Sequence, residues 1–299
     1  MYPTEAYAAR SFRRGLAIRL KRLWRVIARL AESHIALVGL IIFTLFCLMA
    51  IFAPLLATHD PIEGDYTNLL GGLSRDHWLG TDHLGRDIWS RLVYGSQNAM
   101  LVAVIVVPSG MMLGIILGGI PGYYGGKVDN LMMRLNDAAL SFPGLILFMA
   151  VLAVLGPGLW QCILAMIMGG TPNIVRLTRG LVLAEREQEY VKAARLIGEH
   201  NFRILFMQII PNVSSPLIVM ATVRMGGTLL IFAGLTYLGL GPPPPEPSWG
   251  LMLNESKHLL ETAPLVAVFP GLAISLTVLG VNLFGDGLRD VLDPRLAEK

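Results

Sequence analysis

Long apolar runs separated by polar or Pro/Gly-rich stretches set the pattern of this chain. They fall at roughly residues 35–56, 99–120, 131–155, 159–175, 210–238 and 265–284. Each is near the ~20 residues that a helix needs to cross about 30 Å of hydrocarbon. Only helices and closed barrels satisfy every backbone group in lipid. These runs are too long and too continuously apolar for barrel strands. The pattern predicts an all-α integral membrane protein with six transmembrane helices. The fourth run is the shortest and is interrupted by Gly169, Gly170 and Pro172.

Lys and Arg orient the spans. Arg10, Arg13, Arg14, Arg19, Lys21, Arg22, Arg25 and Arg29 precede the first run, while residues 59–96 carry only Arg75, Arg86 and Arg91 against a surplus of acids. The N-terminus is therefore expected in the cytoplasm, and six spans return the C-terminus to that side. Arg176, Arg179, Arg186, Lys192, Arg195 and Arg203 then fall on a cytoplasmic loop, in independent agreement. The expected organisation is a basic arm (1–33) and a membrane domain (34–299). The domain has extracytoplasmic loops at 58–96 and 239–262 and a cytoplasmic loop at 176–209. In the arm, Leu20, Leu23, Trp24, Ile27 and Leu30 recur at helical spacing opposite Arg22, Arg25 and Arg29. Such a helix lies along the anionic inner leaflet.

Composition agrees. Of the 299 residues, 54% are hydrophobic and 15% charged, against about 25% charged in a soluble domain. Mean hydropathy is +0.59. The formal charge of +3 is small, and nucleic acid is not an expected partner. Cys47 and Cys162 both fall in apolar runs and read as buried hydrophobes rather than a disulfide. The basic region ahead of the first run is too long for a cleavable signal.

Within the second span Gly110, Gly114 and Gly118 recur every four residues. Small residues let helix backbones approach closely, either inside a bundle or across a subunit interface. Pro108, Pro143, Pro216 and Pro270 lie in or near spans and bend helices there.

The segment 189–212, EYVKAARLIGEHNFRILFMQIIPN, is polar, amphipathic and set between two apolar spans. Tyr190, Ala193, Ala194 and Ile197 recur at i, i+3, i+4 and i+7 and predict one apolar stripe. Gly198 stands where a helix would end in a left-handed residue. A second short helix, with Asn201 as N-cap, would bring Phe202, Leu205, Phe206 and Ile209 to one side. Pro211 marks re-entry into the membrane. The shape is a short helix presented below the bilayer as a docking surface.

Ala193-Ala194, then Gly198, then Pro211 resembles the EAA loop of permease subunits in bacterial ABC importers. HWLGTDHLGRDIWSR (77–91) resembles the extracytoplasmic signature of the dipeptide/oligopeptide/nickel permeases. So do FPG (142–144), YLGLGPPPPEPSWGLML (237–253) and GDGLRDVLDPRL (285–296), in the order of the C-type permease subunit. The resemblance spans nearly the whole chain. It implies a type I ABC importer permease fold in the bacterial inner membrane. It also implies three kinds of partner: a B-type permease, two ATPase subunits or domains, and an extracytoplasmic substrate-binding protein. Glu189, Lys192, Ala193, Ala194, Gly198 and Pro211 would then form the ATPase-coupling site. One departure is that the first letter of the EAA pattern falls on Lys192 rather than Glu, which leaves an acidic contact missing or reversed.

No G-x-x-x-x-G-K-S/T phosphate loop occurs, so this chain is expected to bind no cofactor and to catalyse nothing. ATP and Mg would be used by the partner ATPases. Their closure would push on the helix at 189–198, which would move spans five and six in an alternating-access cycle.

Arg224 sits in the middle of span five. A charge there costs at least about 2.5 kcal/mol on insertion scales. It calls either for an ion pair, such as one with the other permease, or for a place on the pathway facing an anionic cargo. Peptides and glutathione-like tripeptides carry carboxylates, whereas a bare nickel ion would be repelled. Peptide cargo is favoured, and a nickel or metal-chelate importer is the alternative.

His77, Asp82, His83 and Asp87, with His59 and Asp60 upstream, are of metal-ligating type. Their spacing is not H-E-x-x-H, and no metal is assigned. Asp82, Arg86, Asp87 and Arg91 read instead as a charged network holding the outer loop. Pro242–Pro245 predicts a stiff extended stretch leading to an amphipathic piece at 249–260 near the outer interface. Arg134 and Asp137, one turn apart, are expected to pair. A channel or secondary transporter gives the segment 189–212 no role, and no inverted repeat of broken helices is evident. A membrane metalloenzyme is the remotest reading.

Overall fold

The computed structural model describes residues 33–292. The basic arm and the DPRL part of the last motif lie outside the described residues. Every predicted apolar run is helical. Helix α1 (His34–Ile51) starts at Ser33, whose hydroxyl accepts the Ala36 amide, and a single turn, α2 (Ala53–Leu56), extends it. Helix α3 (Ile88–Tyr124) is the longest. Helices α4 (Gly126–Leu140) and α5 (Gly144–Leu155) meet at an 88° bend. Pro143 sits in that bend and disfavours helical geometry at the residue before it. Helix α6 is Leu159–Glu185 and α7 is Glu189–Leu196. A turn at Asn201–Arg203 then widens into a π-helical stretch, Ile204–Ile209. The stretch ends at Ile209 and gives way to a single α-helical turn, Ile210–Asn212, in which Pro211 takes a first-turn position that needs no N–H. Helices α8 (Ser214–Tyr237), α9 (Trp249–Ser256) and α10 (Leu265–Leu292) complete the described chain.

Among the described residues, four helices are long and apolar enough to cross a membrane, and the bent α4–α5 pair makes a fifth if its two helices count as one span. The fourth predicted span is the exception. It is the first part of α6, which runs on through Arg176 and Arg179. Two boundaries also move. The second span starts at Ile88, not at residue 99, so residues 88–96 are helix rather than loop. The fifth starts at Ser214.

Helix α6 lies along α3, and α10 along α1 and α8. The glycine row of α3 serves the first of these contacts. A Cβ on Gly118 would stand 2.4 Å from the Val175 carbonyl oxygen, and one on Gly114 would stand 2.4 Å from the Ile174 side chain. The row therefore packs inside this chain. Gly118→Val should force α3 and α6 apart and destabilise the subunit by about 1–3 kcal/mol, the usual cost of overpacking. A thermal-shift measurement in detergent, compared with the roomier Gly110→Ala, reads this effect.

One smaller expectation fails. Arg134 does not pair with Asp137, because Arg176 on α6 donates to that carboxylate instead. The piece at 249–260 has a buried and an exposed part: Trp249, Gly250, Leu251 and Met252 are buried, the Trp249 indole donates to the Leu92 carbonyl at 2.9 Å, and Lys257, His258 and Leu260 are exposed. Cys47 and Cys162 are both free.

Candidate functional site

Three places gather the predicted residues. The first is the loop at 57–87. Residue pairs Gly64–Arg86 and Thr81–Asp87 form isolated antiparallel bridges. Gly85 makes this closure possible: its φ is +74°, and a Cβ would lie 2.0 Å from the Asp65 carbonyl oxygen. Asp87 caps α3 by accepting the Ser90 amide at 2.8 Å, and the same oxygen accepts the hydroxyls of Ser90 and Thr58. His77 Nδ1 lies 2.9 Å from its other oxygen, with the His59 ring stacked on His77. Both Asp87 oxygens are thus committed to hydrogen bonds.

Among the described residues Asp82 and Glu255 each ion-pair with both Arg86 and Arg91, whereas Asp87, expected in the same network, pairs with neither arginine. Arg86 Nε donates to Asp82 at 2.7 Å, and Arg86 Nη2 donates to Glu255 of α9 at 2.7 Å. Arg91 Nη2 donates to the same Glu255 oxygen at 3.2 Å, and its Nη1 donates to the Pro61 carbonyl at 3.1 Å. The Arg86 and Arg91 side chains are 3% and 0% exposed. Two carboxylates and two guanidiniums therefore tie the loop, α3 and α9 together. Asp87 stands beside this network as the helix cap. Nearby, the hydroxyl and amide of Thr67 hold the Asp65 carboxyl below the usual carboxylate range.

The second place is α7 and its surroundings. Gly198 ends the helix at φ +79°. The Glu199 amide reaches back to the Ala194 carbonyl and the Gly198 amide to the Arg195 carbonyl, both at 3.1 Å. This is the Schellman arrangement. The apolar stripe falls differently from the prediction. Val191 and Ala194 are buried, Ala193 is exposed, and Leu196 and Ile197 stand 89% and 82% exposed. Val191 and Ala194 pack with Tyr123, Val182, Ile204, Leu205 and Ile209. Those partners come from α3, α6 and the π-helical stretch, which sequence spacing within α7 does not reveal. Glu189 and Lys192 are exposed and 3.6 Å apart. His200, not Asn201, caps the next turn by accepting the Phe202 amide. Asn201 instead accepts the Tyr123 hydroxyl at 2.9 Å. The Arg195 guanidinium lies 4.9 Å from the centre of the Tyr123 ring, and Arg186 donates to the Gly122 and Tyr123 carbonyls. Tyr190 donates to Glu185 at 2.8 Å, and burial raises its phenol above the ordinary value, so it stays a donor at neutral pH.

The third place is a cavity of about 530 Å³ between α3, α5, α6 and α8. Arg224 lines it with Asn173, Thr171 and Thr228 among otherwise apolar neighbours. Its Nη1 donates to the Gly170 carbonyl at 2.7 Å, and no carboxylate faces it among the described residues. The volume falls in the range of small-molecule sites, about 300–1,000 Å³. Sequence reasoning placed Arg224 but missed Glu255 and Tyr123. Glu255 looked like one acid on an amphipathic strip. Tyr123 lies just past the predicted end of the second span at residue 120, and its partners on α6, α7 and the π-helical stretch carry no signal in the local sequence.

A helical membrane bundle with a capped amphipathic helix projecting at one end, and a polar-floored cavity within it, defines a multi-pass transport subunit. The chain belongs to the binding-protein-dependent transport system inner membrane component family, whose model matches residues 110–298. The N-terminal TM domain of oligopeptide transport permease C matches residues 20–71. A dipeptide transport system permease protein, DppC, of Alkalihalophilus pseudofirmus is 44% identical over 274 residues, covering 91% of this chain and 90% of that protein. A glutathione transport system permease protein, GsiD, of Pectobacterium atrosepticum is 40% identical, covering 92% and 91%. The GsiD protein of Escherichia coli O157:H7 is 43% identical, covering 91% and 89%. A chain of the MetNI methionine ABC transporter, solved in inward-facing conformations, shares the fold. Its TM-score is 0.56 at 18% identity, over 68% of this chain and 96% of that one.

Proposed function

We propose that this chain is one of two membrane subunits of an ATP-driven importer of short peptides, working with a B-type permease, two ATPase subunits and an external binding protein. The observation that carries this reading is the similarity to dipeptide and glutathione permeases over nine-tenths of the chain. The setting is the bacterial inner membrane, with both termini cytoplasmic, as the distribution of Lys and Arg predicts. ATP and Mg belong to the partner ATPases. Helix α7 is the knob they grip: Leu196, Ile197, Glu189, Lys192 and Ala193 are exposed for contact, and Ala194 and Gly198 fix its seat and its end. Pro211 closes the segment. Asp82, Arg86 and Arg91, with Glu255, brace the outer loop that would meet the binding protein, and Asp87 caps the helix beneath it.

Arg224 is the pathway residue. Among the described residues one of its N–H groups is used, on Gly170, and the others serve a peptide carboxylate entering the cavity. In proteoliposomes holding the complete transporter, wild type should import a free dipeptide faster than its C-terminal amide. Arg224→Ala should lose about tenfold in uptake of the free acid, the size of a charge-assisted hydrogen bond, with little change for the amide. Equal losses on both peptides would assign Arg224 to structure. Uptake of nickel but not peptide would replace the cargo.

A further inference from the structure

Between α1 and α3, at the end nearer the 57–87 loop, two cavities share Gln97 and Asn98. One is an apolar trough of about 510 Å³, lined by Cys47, Ala50 and Ile51 of α1 and by Met100, Leu101 and Val104 of α3. The other is a polar mouth of about 350 Å³, lined by Asp60, Tyr94 and Glu246 beside Pro61 and Pro247. Among the described residues no Lys or Arg lines either cavity. The mouth has free polar capacity. Asp60 Oδ1 accepts the Ile62 and Glu63 amides, while its second oxygen carries no bond among the described residues. Among the described residues the exposed Glu246 carboxylate has no ion pair and the Tyr94 hydroxyl no hydrogen-bond partner. Gln97 and Asn98 each use an amide N–H, on the Ala50 and Pro247 carbonyls at 3.0 Å, and keep the other.

Two unpaired carboxylates call for a cation. A phenol and two amide N–H groups beside them call for acceptor oxygens. An apolar trough leading away at membrane depth calls for hydrocarbon. A phospholipid with a phosphate and a primary ammonium in its headgroup supplies all three. We propose that this composite groove holds one phosphatidylethanolamine molecule. Its ammonium would lie between Asp60 and Glu246, its phosphate against Tyr94, Gln97 and Asn98, and an acyl chain in the trough. Phosphatidylglycerol brings the same chains and phosphate but sets a net negative charge against two carboxylates. The inference rests on the membrane placement of α1 and α3 and is independent of the cargo.

Native mass spectrometry of the complete detergent-purified transporter tests it, with added phosphatidylethanolamine or phosphatidylglycerol of identical chains. The expected result is retention of phosphatidylethanolamine about tenfold above phosphatidylglycerol, as one charge-assisted contact supplies. Asp60→Asn with Glu246→Gln should abolish the preference. Asn keeps the Asp60 acceptor for its local turn, and the intact complex in the same spectrum reports folding. Val104→Trp should fill the trough and release both lipids. Equal retention of the two lipids by wild type overturns the proposal, as does a preference that survives the double substitution. So does cross-linking of Cys47 to the sister permease in native membranes, which would place protein in the trough.

Discussion

Glu255→Ala should destabilise the subunit by about 3–5 kcal/mol, the cost of leaving buried charge uncompensated. One carboxylate oxygen receives both Arg86 and Arg91. Without it, two guanidiniums of 3% and 0% exposure share Asp82 alone. Arg91 keeps backbone acceptors at Pro61 and Pro245, but carbonyl dipoles do not neutralise a second cation. The damage should spread, because Glu255 is the main polar tie from α9 to the outer loop. Glu255→Gln keeps an acceptor and loses only the charge, so it should fall between wild type and Ala. Thermal denaturation in detergent, followed by quantitation of assembled complex in membranes, reads the order wild type, Gln, Ala. An unchanged melting temperature for Ala would mean that the network contributes nothing to stability.

The same network explains what sequence could and could not reveal. Apolar length exposes the membrane helices directly, since hydrocarbon thickness fixes their size. It misplaces the start of α3 because Arg91, Gln97 and Asn98 resemble a polar loop. They are helical because Asp87 caps the turn and Glu255, 164 positions further on, neutralises Arg91. Arg134 and Asp137 have the spacing of a pair, yet Arg176 on a neighbouring helix takes the carboxylate. In α7 the end at Gly198 is readable from local chemistry. The buried face is not, since Val191 is buried by residues from α3, α6 and the π-helical stretch. Local geometry is written in local sequence, whereas which partner wins a charged or apolar group is decided by the tertiary fold. Lys192 has a plain local consequence: its ammonium lies by Glu189 on the exposed face, which carries both signs of charge.

Tyr123→Ala should uncouple the transporter, with ATP hydrolysis continuing while peptide uptake falls more than tenfold. A knob moved by an ATPase does work only if its motion reaches the helices around the cavity. The physical links from α7 converge on Tyr123 at the end of α3. Its ring lies under Arg195, its hydroxyl reaches Asn201, and its carbonyl accepts from Arg186 of the α6 end. The ring is 5% exposed, in one cluster with Val191 and Ala194 of α7. Removing it opens a cavity and costs about 3–5 kcal/mol of packing, together with a cation–π contact of about 0.5–1 kcal/mol. That loss loosens α7 from α3 while leaving Leu196 and Ile197 in place for the proposed ATPase contact. Tyr123→Phe keeps ring and packing and loses only the hydrogen bond, about 1 kcal/mol, so its uptake should fall only a few-fold. The ratio of peptide imported to ATP hydrolysed in proteoliposomes separates coupling from mere instability, because a misfolded subunit lowers both together. A ratio unchanged in Tyr123→Ala would send the transmission elsewhere, through Pro211 into α8, as the order of the chain alone suggests.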